Sequence, residues 1–153
     1  NKGSLNCMAE IKKVVYVDYS AGQMFRLVDT VENYPEFLPW CDGTSVKQLS
    51  DTIVHATVNI NYGPVRHSFT TENTRQVPEL IKMKLLDGPF EELDGEWRFI
   101  SLSEHECKIE FNLHYTFSNR LLEKLVGPVF FGIANSFVDA FIKRAEKIYG
   151  ISQ

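Results

Sequence analysis

The run from Asn119 to Tyr149 constrains the chain more than any other stretch. Apolar residues recur at Leu122, Val126, Phe130, Ile133, Phe137, Phe141, Ala145 and Ile148, the three-and-four spacing of one helix face. A second stripe lies beside it, at Leu125, Val129, Ala134, Val138, Ile142 and Tyr149. Together they make an apolar face broader than a single helix seam requires. At about 1.5 Å per residue such a helix spans roughly 40 Å, enough to cross a small sheet. Asn119 suits its N-cap, Lys143, Arg144 and Lys147 complement its C-terminal dipole, and Gly150 suits its end. Gly127-Pro128 lacks a backbone donor in the first third, which predicts a kink or a break into a short and a long helix.

The chain before Asn119 supplies what this helix lies on. From Glu10 to Tyr19 the apolar side of an alternation holds Ile11, Val15, Val17 and Tyr19, a first strand. Ser20 and Gln23 fit a capping box, and Met24, Phe25, Leu27, Val28 and Val31 follow as a short amphipathic helix. Two prolines then forbid one long helix, and a second short helix is expected around Pro35 to Leu38, followed by a loop. From Thr44 the period changes to that of strands: 44–49, 54–62, 65–76, 80–86, 96–102 and 106–117. Short connections imply antiparallel neighbours. The clearest strand places Cys107, Ile109, Phe111, Leu113, Tyr115 and Phe117 on one face and polar residues on the other. The resulting class is α+β: an antiparallel sheet of about seven strands, two short helices after the first strand, and a long C-terminal helix. Residues 9–150 read as a single domain. Residues 1–8 read as an appended or upstream remnant outside the fold, with Met8 a candidate natural start.

Composition excludes several functions. With 153 residues, 44% apolar and 24% charged, the chain can bury a real core. Its formal net charge of -4 gives no global basic field for DNA. Uninterrupted apolar runs fall well short of the ~20 residues that span a bilayer. Cys7, Cys41 and Cys107 are an odd set without metal-ligand spacing, which suits a reducing cytoplasm.

Chemistry-bearing motifs are scarce. His55, His67, His105 and His114 show no metal-ligand spacing, and no metal site is expected. There is no nucleophile elbow, Walker loop or dinucleotide fingerprint. Asp87-Gly88-Pro89 and Asp94-Gly95 read as turns, and Asp87, Glu91, Glu92, Asp94 and Glu96 as a solvated acidic rim. No catalytic residue is assigned. Aromatic supply is the unusual feature, with eleven Phe, six Tyr and two Trp. Phe130, Phe131, Phe137 and Phe141 fall on the broad helix face, which points to an apolar ligand cavity beneath it.

Four segments carry a family resemblance: VDYSAGQMFRLVDTVENYPEFLPWCDG from Val17, FTTEN from Phe69, LLDGPFEELDGEWRFISL from Leu85 and CKIEFNLHYTFSN from Cys107. They resemble the bacterial ubiquinone-binding START-domain family, within the helix-grip polyketide cyclase superfamily. That family includes coenzyme Q-binding proteins and ribosome-association toxins. The resemblance runs from about Ala9 to Gly150. It implies a helix-grip (START-like) fold, a curved sheet around the C-terminal helix with a deep apolar tunnel. It implies an entrance at Tyr34, Phe37, Leu38 and Trp40, and walls from Phe69, Thr71, Asn73, Met83 and Trp97. Phe130, Ile133, Phe137 and Phe141 would form the lid and floor. Two departures stand out: Tyr62-Gly63-Pro64 where relatives often have a lysine and small residues, and Glu72 where many have arginine. Both weaken a basic surface for RNA.

The expected function is non-catalytic binding of a hydrophobic ligand, ubiquinone or a similar isoprenoid lipid, in support of respiratory electron transport. No cofactor is required. The expected location is the cytoplasm, with transient contact at the inner-membrane surface through the Phe37-Leu38-Pro39-Trp40 loop. The alternative is a toxin that binds the large ribosomal subunit and inhibits translation initiation, using Arg120, Lys124, Lys143, Arg144, Lys147, Lys82 and Lys84. A cyclase-like enzyme would need a buried acid–base pair, and none is evident.

Overall fold

The computed structural model describes residues 8–150. Cys7 and the rest of residues 1–7 lie outside the described residues. Strand β1 (Ala9–Val17) leads into helix α1 (Ala21–Asp29) and a 3-10 turn (Val31–Glu36). Strands β2 (Cys41–Gln48), β3 (Ile53–Tyr62), β4 (Val65–Gln76), β5 (Leu80–Asp87), β6 (Phe90–Ser103) and β7 (Glu106–Phe117) follow, and helix α2 (Arg120–Tyr149) ends the chain. All pairings are antiparallel, in the order β1-β7-β6-β5-β4-β3-β2. Consecutive strands pair in sequence from β2 to β7, and β1 closes onto β7.

The sheet curls around α2. In a flat sheet β4 and β7, three strand spacings apart, would be about 14 Å from each other. Yet the Phe130 ring of α2 lies 6.0 Å from Phe69 on β4 and 4.7 Å from Tyr115 on β7. This is the helix-grip, START-like architecture expected from the sequence. Along β7, Cys107, Ile109, Phe111, Leu113, Tyr115 and Phe117 are buried as the alternation predicts.

Local chemistry fixes the helix ends. Ser20 Oγ accepts the Gln23 amide while the Gln23 side chain accepts the Ser20 amide, a complete capping box. Asn119 Oδ1 accepts the Leu122 amide, and Gly150 ends α2 with φ 87°. Polar ties from α2 to the rest of the fold gather at its C-terminal end. Tyr19 Oη donates to the Gly150 carbonyl at 2.6 Å, Tyr149 Oη to the Gln23 carbonyl at 3.1 Å, and Arg144 pairs with Glu36 at 2.8 Å.

Four expectations are corrected. Helix α2 runs unbroken through Gly127-Pro128. Lys124 and Pro128 are both exposed, so the Lys124 carbonyl that loses its partner lies on the solvent side of the helix, where water can pair it. Phe131 points outward, 49% exposed, and Leu125 and Ile148 are exposed too; the buried stripe is Val126, Phe130, Ala134, Val138, Phe141 and Ala145. The second short helix sits earlier than Pro35 to Leu38, at Val31–Glu36 with Pro35 inside it. Asp94-Gly95 is no turn: it lies within β6, which begins at Phe90. A Cβ on Gly95 would meet Met83 Cε at 2.6 Å, so this glycine serves close packing between strands.

Candidate functional site

Between the sheet and the N-terminal half of α2 lies an apolar cavity of about 70 Å³. Two aromatic clusters bound it. One joins Phe130 to Phe90 at 4.9 Å and to Tyr115 at 4.7 Å, with Phe69 and Phe117 around them. The other joins Phe137 to Phe141 at 5.0 Å and to Trp97 at 5.8 Å, with Tyr34 and Phe111 beside it. Phe130 and Phe137 are seven positions apart, two turns of one helix face. Their rings lie on either side of the position below Ile133 and Ala134, where small and branched side chains leave space.

Nine of the thirteen residues assigned from the sequence line this cavity: Tyr34, Trp40, Phe69, Thr71, Asn73, Met83, Phe130, Ile133 and Phe137. Four do not. Trp97, Leu38 and Phe141 are each about 1% exposed and pack as core behind the lining, and Phe37 packs on Phe141 and under the Arg144 guanidinium. The Phe37–Trp40 loop therefore turns its apolar side chains inward, with only Pro39 exposed, and offers little apolar surface to a membrane. Sequence reasoning missed Val31, Ala56, Val58, Leu93, Phe111, Leu113 and Ala134 as lining residues. The strand alternation placed several of them inward, but core and cavity wall share one chemistry and one period.

The polar content of the cavity is confined to one spot. Thr71 is 5% exposed, and its hydroxyl donates to Asn73 Oδ1 at 2.7 Å. A bulge between Thr70 and Thr71 in the β4–β5 pairing sets this segment. With Oδ1 occupied, the Asn73 amide hydrogens remain as donors. Tyr34 is committed elsewhere: its buried hydroxyl donates to the Val28 carbonyl at 2.5 Å, and burial pushes its phenol far above the ordinary tyrosine value. Among the described residues, no carboxylate, imidazole, amine or thiol lines the cavity. Cys107 and Cys41 are buried away from it, and burial pushes the Cys107 thiol up to about 11. Cys41 opens β2 rather than sitting in a loop.

On the opposite face of the sheet, ionisable side chains form a ladder. Register aligns Glu10, His114, Asp94, Lys84, Glu72, His55 and Lys47 across all seven strands. His114 contacts Glu10 and lies 3.6 Å from Asp94, and His55 lies 3.5 Å from Glu72. Among the described residues no cluster suited to a metal ion forms.

Comparisons with known proteins agree with this geometry. The chain is 39% identical over 142 residues to the ribosome association toxin RatA of Escherichia coli strain K12, covering 93% of this chain and 90% of that protein. It is 28% identical over 136 residues to the mitochondrial coenzyme Q-binding protein COQ10 homolog B of Xenopus laevis, covering 86% of this chain and 56% of that protein. The solved Zhui aromatase/cyclase of a Streptomyces species superposes with a TM-score of 0.75 at 16% identity, covering 95% of this chain and all of that one, which shows the fold. The family described as polyketide cyclase / dehydrase and lipid transport matches residues 17–142. A curled sheet closed by one long helix over an apolar cavity, with these relatives along nearly its whole length, places the chain in the polyketide cyclase, dehydrase and lipid transport family.

Proposed function

We propose that the protein binds an isoprenoid quinone, or a lipid of similar size with a carbonyl-bearing head, and holds it without transforming it. The lining of the cavity carries this reading: apolar side chains all round and one polar spot, Thr71–Asn73. A quinone oxygen accepts hydrogen bonds and donates none, which matches the free amide hydrogens of Asn73. An isoprenoid tail gains about 25 cal/mol per Å² of apolar surface buried, so affinity needs no charged group. Acid–base catalysis needs an ionisable side chain within hydrogen-bond reach of substrate; the one in the lining, Tyr34, has its hydroxyl engaged with the Val28 carbonyl and its proton held by burial. One relative is named as a coenzyme Q-binding protein. Such cargo would serve respiratory electron transport, with the protein in the cytoplasm and visiting the inner membrane.

The cavity at about 70 Å³ is far smaller than the roughly 300–1,000 Å³ of ordinary ligand sites. Loading therefore requires α2 or the Trp40 segment to move outward. Mass spectrometry of an organic extract from natively purified protein, with an ultraviolet spectrum, tests the reading. A stoichiometric isoprenoid quinone is expected. An extract empty both before and after incubation with quinone-loaded liposomes would overturn it. Asn73→Leu should keep the fold and weaken quinone binding about tenfold, the scale of one lost hydrogen bond.

A ribosome-directed role is the second reading, favoured by 38–39% identity over nearly the whole chain to relatives named as ribosome association toxins. The candidate cations are dispersed. Lys82 and Lys84 face Glu96, Asp94 and Glu72 across the sheet, and Arg144 is engaged with Glu36. Arg120, Lys124, Lys143 and Lys147 remain exposed on α2. Sucrose gradients of overexpressing cells decide: unchanged joining of ribosomal subunits would remove this reading.

A further inference from the structure

We infer that the N-terminal half of α2, with the tip of the β3–β4 hairpin, is a docking surface for a bilayer containing anionic lipid. It rests on the lipid-binding reading of the cavity for its purpose, though not for its geometry. The observation is a change of character along one exposed helix stripe. Leu121, Leu125, Pro128 and Gly132 follow one another at helical spacing on the outer face, with Phe131 beside them. Leu121 is 66% exposed and Leu125 61%. One turn further the same stripe becomes Asn135, Ser136, Asp139 and Lys143. Core packing explains neither the first half nor the switch, since all these side chains face solvent. Helix α2 is long and apolar enough to cross a membrane, yet only a third of its most apolar stretch is buried in the fold. It also carries the sheet's core on its other face, so the surface suits lying on a bilayer rather than crossing it.

Two further features identify the partner. Arg120 and Lys124 flank the exposed leucines, while Glu123, on the same turn, is half-buried against the groove beside Ala9 and Tyr115. Cations beside an apolar stripe complement anionic headgroups. Tyr62, 59% exposed at the hairpin tip, borders the same face, where an aromatic with a polar end suits the headgroup level. Between Tyr62 and the helix runs an open groove of about 430 Å³, lined by Trp40, Pro128, Val129, Gly132, Ile133 and Ser136. Trp40 and Ile133 belong to both this groove and the inner cavity. They stand as the partition between the docking face and the ligand site, so a lipid leaving the bilayer here would meet them first.

Flotation with vesicles of phosphatidylcholine, and of phosphatidylcholine with phosphatidylglycerol, tests the surface on the full chain. Wild type is expected to float with the anionic vesicles and less with the neutral ones. L121D/L125D, two exposed positions whose change leaves the core intact, should lower binding at least about tenfold. The charge-changing control Lys143→Glu, on the polar half of the stripe, should lower it little. Equal flotation of wild type and L121D/L125D, or no flotation of wild type, would overturn the proposal. So would a stable dimer, by light scattering, that L121D/L125D dissolves, since a second copy would then cover the face. Quinone loading from detergent micelles separates the two readings: loading without flotation removes the docking surface alone, and flotation without loading removes the quinone site alone.

Discussion

Cys107 shows what a side chain in this interior experiences. It is fully buried on β7 with its proton held up to about 11, against about 9 when exposed. The unfolded thiol therefore loses its proton first, and stability falls as pH rises from about 9 to 11, by at most about 2–3 kcal/mol. Urea unfolding at pH 7 and pH 10.5 should show a smaller pH-dependent loss in Cys107→Ala than in wild type. Native protein at pH 8 should also react slowly at this thiol with a disulfide reagent. Gly88 is the second informative residue. Its φ is 149°, and a Cβ there would stand 2.7 Å from Phe69 Cβ. Gly88→Ala should cost about 2–4 kcal/mol from backbone strain and displacement of Phe69, read as a lowered melting temperature. The burial of Cys107 was legible in the alternation of β7, but the constraint at Gly88 was not, because Asp87-Gly88-Pro89 and Asp94-Gly95 look alike in sequence. The first is a turn against an aromatic ring and the second a close approach inside β6, and only the three-dimensional neighbours distinguish them.

At the scale of elements, local rules were legible and long-range ones were not. The capping box at Ser20, the alternation of β7 and the start and end of α2 follow from neighbours a few residues apart. The packing of Phe37 depends on Phe141 and Arg144 of α2, about a hundred positions later, and no local pattern announces it. Pro128 was expected to kink or break α2, and the helix is not broken there. Because it removes a helix hydrogen bond without a compensating role in the fold, Pro128→Ala should raise stability by about 1–3 kcal/mol in thermal melts. Glu72 also acquires its meaning at this scale. It stands between His55 and Lys84 in the ladder across the sheet, so the arginine that resembles relatives at this site would face a lysine. Glu72→Arg should destabilise the sheet by about 0.5–1 kcal/mol at low salt, an effect that shrinks in 1 M salt.

Taken whole, the molecule is a shell closed over less space than a prenyl lipid needs. If the proposed lipid binds, its binding is coupled to opening, and the bound form should be the more stable one. At a ligand concentration a hundredfold above Kd, quinone should stabilise the fold by about 2.7 kcal/mol and raise the melting temperature by about 5–10 °C. Ala134→Leu, which places extra methyl groups at the cavity wall, should abolish that rise while changing the unliganded melting temperature little.

The uneven attachment of α2 sets how such opening can occur. Tyr149, Gly150 and Arg144 tie its C-terminal end to α1, to Tyr19 just before it, and to the 3-10 turn. Phe130, fifteen positions before Ala145, is held by ring contacts alone among the bonds described. On the ligand-binding reading the polar ties would hold the C-terminal end while the middle of the helix shifts, within what the short link from Phe117 to Arg120 and the Ser118 amide's bond to the Pro89 carbonyl allow. At about 1.5 Å per residue the length from Ala145 to Phe130 is about 22 Å, so a tilt of about ten degrees carries Phe130 roughly 4 Å. That is close to the thickness of an aromatic ring, and the ties at the C-terminal end need not break to allow it.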